Sequence, residues 1–236
     1  MSKRKRVAVL FVFHEVHQRV RDFISNAIFF DDHVDFIIIS NSVAIDVPPY
    51  VKMIVRENVG YDFGGWSEGI FTDEIYKKYD YYLFVNSSVM GPFLSSERKW
   101  TDVYIDGLQD NIKLFGSTIN TCQDPIYRSH VQSYIFSMDR DTLHYLINCE
   151  LFSMKQLTTT LPETVEQKEI RMSRLILKMG WNIGSLLPLY HGVDFTFSRK
   201  APHEYPMPFL DDVMYYHYRN VLWTNEQLVF IKGNRV

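Results

Sequence analysis

Apolar positions along the chain alternate between unbroken β-rich runs and stretches of helical spacing. Val7–Phe13 is apolar at every position, the pattern of a strand covered on both faces. Between residues 17 and 30, Val20, Phe23, Ile24, Ala27 and Ile28 recur at helical intervals. Residues 34–41 predict a second buried strand ending in Ser40-Asn41, and residues 51–55, after Pro48-Pro49, a third. A glycine-rich loop over 58–65 follows, then a helix over 66–79 and a fourth strand over 81–85 that runs into Asn86-Ser87-Ser88. Such alternation predicts βαβ units and a mainly parallel sheet flanked by helices, an α/β, Rossmann-like fold.

The second half is less regular. Residues 113–119 and 132–138 read as strands, the latter followed by a helix that Asp139 or Asp141 caps. A helix over 164–179 places Ile170, Leu175, Ile176 and Met179 on one face and ends at Gly180, where a left-handed cap is expected. Residues 181–184 lead towards Leu186-Leu187-Pro188, and the proline-containing stretch 200–212 reads as a surface loop. On parallel sheets ligands bind at the carboxyl ends of the strands. Asn41, the 58–65 loop and Asn86-Ser87-Ser88 all follow strands, so they are expected to gather along one edge.

Bulk properties narrow the classes. The 236 residues fit one domain, or one with a small appendage. Apolar residues at 46% and charged residues at 22% suffice for a packed core. A net charge of −3 argues against a nucleic-acid partner. The basic run Lys3-Arg4-Lys5-Arg6 reads as a solvated flank, with contact to a membrane surface or a phosphate as the alternative. No apolar run approaches the roughly 20 residues that span a bilayer, and no signal peptide is legible, so stable membrane insertion is not expected. Cys122 and Cys149 form no CxxC or metal-ligand spacing, which fits free thiols in a reducing cytosol. The expected location is cytoplasmic, if need be peripheral at a membrane surface.

The ordered motifs Asn58-Val59-Gly60-Tyr61-Asp62-Phe63-Gly64-Gly65, Leu83-Phe84-Val85-Asn86-Ser87-Ser88 and Gly91-Pro92-Phe93 resemble the rhamnan synthesis protein F group. Residues 113–120, His130-Val131-Gln132-Ser133 and the tail Phe230-Ile231-Lys232-Gly233-Asn234-Arg235 fit the same group, so the resemblance spans nearly the whole chain. It implies a GT-A glycosyltransferase fold in one domain over 1–236. About 1–110 would be the nucleotide-sugar-binding half; about 111–236 would hold the acceptor half and tail. Transfer of a sugar from a nucleotide-sugar donor to a glycan or glycoconjugate acceptor follows as the expected function, of the hexosyl- or deoxyhexosyltransferase class.

That chemistry assigns roles by position. Most GT-A enzymes carry an Asp-any-Asp motif after the fourth strand to hold Mn²⁺ or Mg²⁺; this chain has Asn86-Ser87-Ser88 there. Neutral oxygens bind a hard cation more weakly than carboxylates, so a weak metal dependence is expected, with Asn86, Ser88 and the late His191 as ligands. The same triplet also suits a plain capped turn. Asn41, Asn58, Gly60, Asp62, Gly64, Gly65, Asn86, Ser87 and Ser88 are the donor-binding candidates, joined by Lys232 and Arg235 from the tail. Asp62 would accept from a ribose or base, or simply cap a helix. In inverting GT-A enzymes an acidic residue at a helix start takes the acceptor proton. Glu169, four residues before Ser173, fits that place, and Glu166 is the alternate one turn away; acidic residues there also suit the helix dipole. His130, Gln132 and Trp181 are the acceptor-side candidates. Two rivals stand beside this reading. A nucleotidyltransferase would want a phosphate loop where His14-Glu15-Val16-His17 stands. A catalytically degenerate GT-A-like nucleotide- or sugar-binding protein is supported by the missing carboxylates at Asn86 and Ser88.

Overall fold

A computed structural model describes residues 5–94, 97–123 and 126–235, so part of the basic run at 3–6 lies outside the described residues. In chain order the elements of the first half are β1 (Val7–Phe13), α1 (Gln18–Asn26), β2 (Val34–Ser40), β3 (Lys52–Val55), α2 (Tyr61–Phe71), β4 (Tyr81–Asn86), β5 (Val89–Met90) and α3 (Trp100–Asp106). The second half contributes β6 (Ile112–Gly116), β7 (Ile119–Asn120), β8 (His130–Val131), β9 (Ile135–Asp139), α4 (Arg140–Asn148), α5 (Leu161–Thr164), α6 (Arg171–Lys178), β10 (Asn182–Ser185), α7 (Asn225–Leu228) and β11 (Ile231–Lys232).

Seven strands form one sheet in the order β10-β6-β9-β4-β1-β2-β3. Only β9 runs against its neighbours; the other pairings are parallel. The mainly parallel, helix-flanked α/β sheet predicted by the alternating pattern is therefore the fold. All seven residues of β1 are buried, because helices cover both faces of a central parallel strand. On one face Phe23 of α1 stacks on Phe11 at 4.0 Å, and Phe230 and Trp100 pack beside it. On the other, Trp66 of α2 donates its ring N–H to the Leu10 carbonyl at 3.2 Å and meets Phe84 and Phe136 edge-on. Burying each such aromatic contributes on the order of 1.5–3 kcal/mol.

Several boundaries differ from expectation. The helix after β3 starts at Tyr61, inside the expected loop, and ends at Phe71 before a 3-10 turn over Thr72–Lys77. Gly60, at φ 79°, holds the left-handed position before that helix, where an added Cβ would lie 2.8 Å from Leu157 Cδ2. Gly64 and Gly65 are helical. A Cβ on Gly65 would meet Val12 Cγ2 at 2.6 Å, so this glycine lets α2 lie close on the sheet. The strand expected over 113–119 ends at Gly116, and Ile119–Asn120 pairs with His130–Val131 in a separate two-stranded ribbon. The strand expected from 132 begins at Ile135. Asp139 is the cap of α4, accepting from the Thr142 amide at 2.8 Å.

The helix expected from 164 begins three residues earlier, at Leu161. Thr160 accepts from the Glu163 amide at 3.3 Å and Pro162 sits in the first turn. Between α5 and α6, Val165–Ile170 forms a π-helical turn that holds both candidate carboxylates. Such turns are often found at functional sites. Gly180 takes the expected left-handed cap, at φ 75°. Finally, the C-terminal β11 pairs antiparallel with β5 and carries the tail across the end of β4.

Candidate active site

Asn86 ends β4, and its side-chain N–H donates to Asp62 Oδ2 at 2.9 Å. Asp62 stands in the first turn of α2, so a strand end and a helix start meet through their side chains. Asn86 Oδ1 is itself occupied: the Ser88 backbone N–H donates to it at 3.0 Å and the Ser88 hydroxyl at 2.6 Å. The Asn86-Ser87-Ser88 turn is thus held by its own polar groups, as Asn and Ser favour. The tail completes the enclosure, with the Gly233 amide donating to the Ser88 carbonyl at 2.6 Å.

Glu169 reaches the same place from the π-helical turn. Its Oε1 accepts from the Ser133 backbone N–H at 2.9 Å and lies 3.8 Å from His130 Nε2. The side chain is 13% exposed, and its Oε2 makes no hydrogen bond among the described residues. His130 is oriented by a 2.6 Å contact from Nδ1 to the Arg128 carbonyl, which accepts there and fixes the donor nitrogen. Contrary to expectation, Glu169 is not at the helix start. The run begins at Leu161, and the widened turn aims this carboxylate at the sheet edge.

The electrostatics bind these groups into one cluster. Burial pushes the pKa of Asp62 up to about 6, against the pull of the Asn86 hydrogen bond; the negative charge of Glu169 raises it further and Lys232 lowers it. Asp62, Asn86, Glu169 and Lys232 therefore share one neighbourhood at the carboxyl ends of the strands. Glu166 differs. Its carboxylate is bound by Arg128 Nη1 at 2.6 Å and approached by Arg174 Nη1 at 4.0 Å, at the surface.

Asn41 also lies at this edge, but it serves the fold directly. It is 3% exposed, and its Oδ1 accepts from Arg56 Nη1 at 2.9 Å. Arg56 in turn holds Glu68 at 2.7 Å and the Val59 carbonyl at 2.9 Å. Asn58 is exposed beside it. Gln132 is buried, accepts from the Thr118 hydroxyl at 2.6 Å and donates to Asp212 Oδ1 at 3.1 Å. Arg235 binds the other oxygen of Asp212 at 3.4 Å.

Two candidates do not join the cluster. Trp181 precedes β10, and β10 runs parallel to β6 and β4, so Trp181 stands at the opposite edge of the sheet, edge-on to Tyr145. His191 follows β10, but the chain turns straight back: Asn182 at the start of β10 bonds Val193 and Phe195. His191 lines a cavity of about 540 Å³ with Asp106, Asp110, Asn182 and Asp194. Neither Asn86 nor Ser88 lines it. Spacing alone placed both residues near a strand end, but not which end.

The residues present do not fit a metal held by the protein. Asn86 turns its amide N–H to Asp62, Asn86 Oδ1 is saturated by Ser88, and His191 is remote. Among the described residues no group of three or more His, Cys, Asp or Glu could hold an ion.

Arg19, Arg56 and Asp212 are further groups at this edge. Arg19 Nε donates to the Ser87 carbonyl at 3.3 Å from α1. Arg56 directly follows β3, so the rule that selected Asn41 and Asn86 could have found it. Asp212 comes from the irregular loop after 200, where no periodicity signals a site.

A family model described as rhamnan synthesis protein F matches residues 36–221. Among curated proteins, virulence protein VirA of Vibrio anguillarum is 26% identical over 169 residues, covering 70% of this chain and 51% of that protein. The chain thus spans about half the length of the curated relatives it matches. Among solved structures, the apo-form glycosyltransferase GlyE of Streptococcus pneumoniae has a TM-score of 0.39 at 13% identity, covering 77% of this chain and 45% of that chain. A protein assigned as a nucleotide-diphospho-sugar transferase from Desulfovibrio desulfuricans has a TM-score of 0.39 at 11% identity, covering 84% and 92%.

Proposed function

Because the chain belongs to the rhamnan synthesis protein F family, we propose that it is a nucleotide-sugar-dependent glycosyltransferase acting on a glycan or glycoconjugate acceptor. The observation that carries this reading is the meeting of Asp62, Asn86, Glu169 and Lys232 at the carboxyl edge of the parallel sheet. Asp62 and the Asn86-Ser87-Ser88 turn bind the donor nucleotide, Asp62 by accepting from a ribose hydroxyl or the base, while Asn41 holds Arg56 behind them. Lys232, with Arg19 beside the Ser87 carbonyl, faces the diphosphate. These cations stabilise the charge that develops on the leaving oxygen, the work a divalent ion performs in most GT-A enzymes. Metal dependence is accordingly weak.

Glu169 is the base of an inverting transfer. Its Oε1 is held by the Ser133 amide, which leaves Oε2 to accept the proton of the acceptor hydroxyl. The acceptor's hydroxyl oxygen attacks the anomeric carbon as the bond from carbon to the diphosphate oxygen breaks. The bonding electrons leave with the nucleoside diphosphate, and the proton stays on Glu169. His130 and Gln132 frame the acceptor side. Glu166 is tied into its Arg128 pair and takes no part. The neutral Asn86 also favours a second reading, a GT-A-like protein that binds nucleotide sugar without transferring it.

A thermal-shift panel of nucleotides and nucleotide sugars, with and without Mn²⁺, tests the donor site. A ligand at 100 times its Kd stabilises by about 2.7 kcal/mol, so a true donor raises the Tm by roughly 5–10 °C. The rise persists in EDTA. No rise with any of the panel would defeat the reading, and release of nucleoside diphosphate separates transferase from binding protein.

A further inference from the structure

We propose that Lys168, together with Arg171, is a positioning residue for Glu169: the two cations anchor the π-helical turn that carries it. This rests on the reading of Glu169 as the base and names the groups that hold it in place.

Lys168 stands where an apolar residue is expected. Thr164, Lys168, Met172 and Ile176 recur at every fourth position, and all four are buried. They form the inward stripe of the helical run. Lys168 is 4% exposed, and its Nζ donates to the Leu151 carbonyl at 2.7 Å, the one hydrogen bond of that ammonium among the described residues. Burial pushes its pKa below the usual lysine value; Arg171 adds to this, and Glu163 and Glu150 pull against it. A methionine would fill a similar volume without desolvating a charge. A buried polar group in an apolar stripe selects one register among those that apolar packing alone would tolerate.

The register at stake is that of the π-helical turn. Leu151 lies just past α4, whose end is closed by the Leu151 amide donating to the Leu146 carbonyl at 3.0 Å, with Glu150 left-handed at φ 58°. Arg171 donates from Nη2 to the Cys149 carbonyl at 2.7 Å. Two cations three residues apart thus hold the carbonyl end of α4, where the helix dipole favours positive charge. Elsewhere the same run meets β8 and the chain leading into β9. There Glu169 accepts from the Ser133 amide, and the Ser173 hydroxyl oxygen accepts from the Val131 amide at 3.1 Å. Residues 168–173 are therefore gripped by two separate parts of the chain.

The turn over Val165–Ile170 holds one residue more than an α-helical turn. Relaxing it to α geometry would rotate the residues before it by about 100° against those after it. With Ser173 held on Val131, Glu169 would then leave the Ser133 amide. Lys168 lies within the wide turn and Arg171 directly after it, so their shared hold on α4 opposes that slip.

The test uses the full chain and the variants Lys168→Met and Arg171→Met, with amide hydrogen exchange read residue by residue. The β1 amides report global unfolding, and Ser133 reports the grip on Glu169. In Lys168→Met the Ser133 amide should exchange about tenfold faster relative to the β1 amides. Arg171→Met should show a smaller change in the same direction, about threefold. Arg171 is only half-buried, so this variant decides alone where Lys168→Met fails to fold. In transfer assays kcat should fall about 10- to 100-fold for Lys168→Met with the donor KM unchanged, as for a displaced base. Unchanged Ser133 protection overturns the proposal. So does a uniform loss at Ser133 and β1 that follows the Tm, which would mark ordinary stabilisation. Full turnover with a loosened Ser133 amide also overturns it, because Glu169 would not need the anchor. If wild type transfers no sugar, the reading of Glu169 as the base falls, while exchange at Ser133 still decides the anchoring.

Discussion

Both edges of the central sheet carry ion pairs, Arg56–Glu68 and Arg235–Asp212 among them at the carboxyl ends, but only the carboxyl edge also holds carboxylates on neutral donors. At the amino ends of the parallel strands, carboxylates are matched with cations. Arg6 binds Asp35 at 2.8 Å, Arg140 binds Asp80 at 2.8 Å and Lys113 binds Asp139 at 3.0 Å. At the carboxyl ends, Asp62 and Glu169 receive neutral donors, an amide side chain and a backbone N–H. The consequence is visible in two aspartates. Burial alone would raise Asp139, but the hydrogen bonds from Thr142 and Lys113 override it and hold its pKa below the usual value. Burial of Asp62 prevails over its one hydrogen bond and lifts it to about 6. The three amino-edge pairs spend their charges on the fold. Asp62 and Glu169, at the other edge, are left on neutral donors, for Asp62 at a cost in stability.

The largest effect that would break this comparison concerns Glu169. Glu169→Gln keeps the Ser133 contact but cannot take a proton, so turnover should fall about 100- to 10,000-fold with donor binding and Tm nearly unchanged. Glu166→Gln should transfer at near-normal rate, since its carboxylate is held by Arg128 at the surface. The reverse pattern in initial-rate assays would move the base one turn along the helix. Activity in both variants would place it outside this helix.

Asp62→Asn comes next. It removes the charge but leaves an oxygen for the Asn86 N–H. Donor affinity should weaken about 10- to 100-fold, as for a lost hydrogen bond to a charged group. Stability should move the other way. A raised aspartate pKa gives a contribution fully present below the ordinary value of 3.8 and lost as pH rises to about 6. The variant should therefore lose less stability than wild type between about pH 4 and pH 6, and melt higher at pH 8. Melting curves across that range, with nucleotide titrations at pH 8, check both parts; identical pH dependence would show that Asp62 is not enclosed.

The smallest effect sharpens the contrast from the other edge. Arg140→Ala breaks a half-exposed pair worth at most about 1 kcal/mol, so the Tm should fall by roughly 2–4 °C with transfer intact. A large loss of activity there would mean that the amino edge contributes to the site.

The same division explains what could be read from the chain. Strands β1, β2 and β4 are continuous apolar runs, and such runs leave few alternatives. The meeting of Asp62 with Asn86 followed from topology, because Asp62 starts the helix after β3 and Asn86 ends β4, both on the carboxyl side of the sheet. The expectation for Glu169 came from the family resemblance, and the π-helical turn that holds it was not legible, because the cap at Thr160 and Pro162 sits just upstream of the apolar pattern. Trp181 and His191 failed for a different reason. Short, weakly patterned β10 hides which end of the strand a residue occupies, and the chain doubles back after it. Asp212 lies in irregular chain that no period describes.

The most direct test is a crystal structure of the chain with a nucleoside diphosphate that raises its Tm. The nucleotide is expected at the carboxyl edge, its sugar or base against Asp62 and its diphosphate between the Asn86-Ser87-Ser88 turn and Lys232. A nucleotide seated at the amino edge, or in the cavity lined by His191 and Asp194, would contradict it.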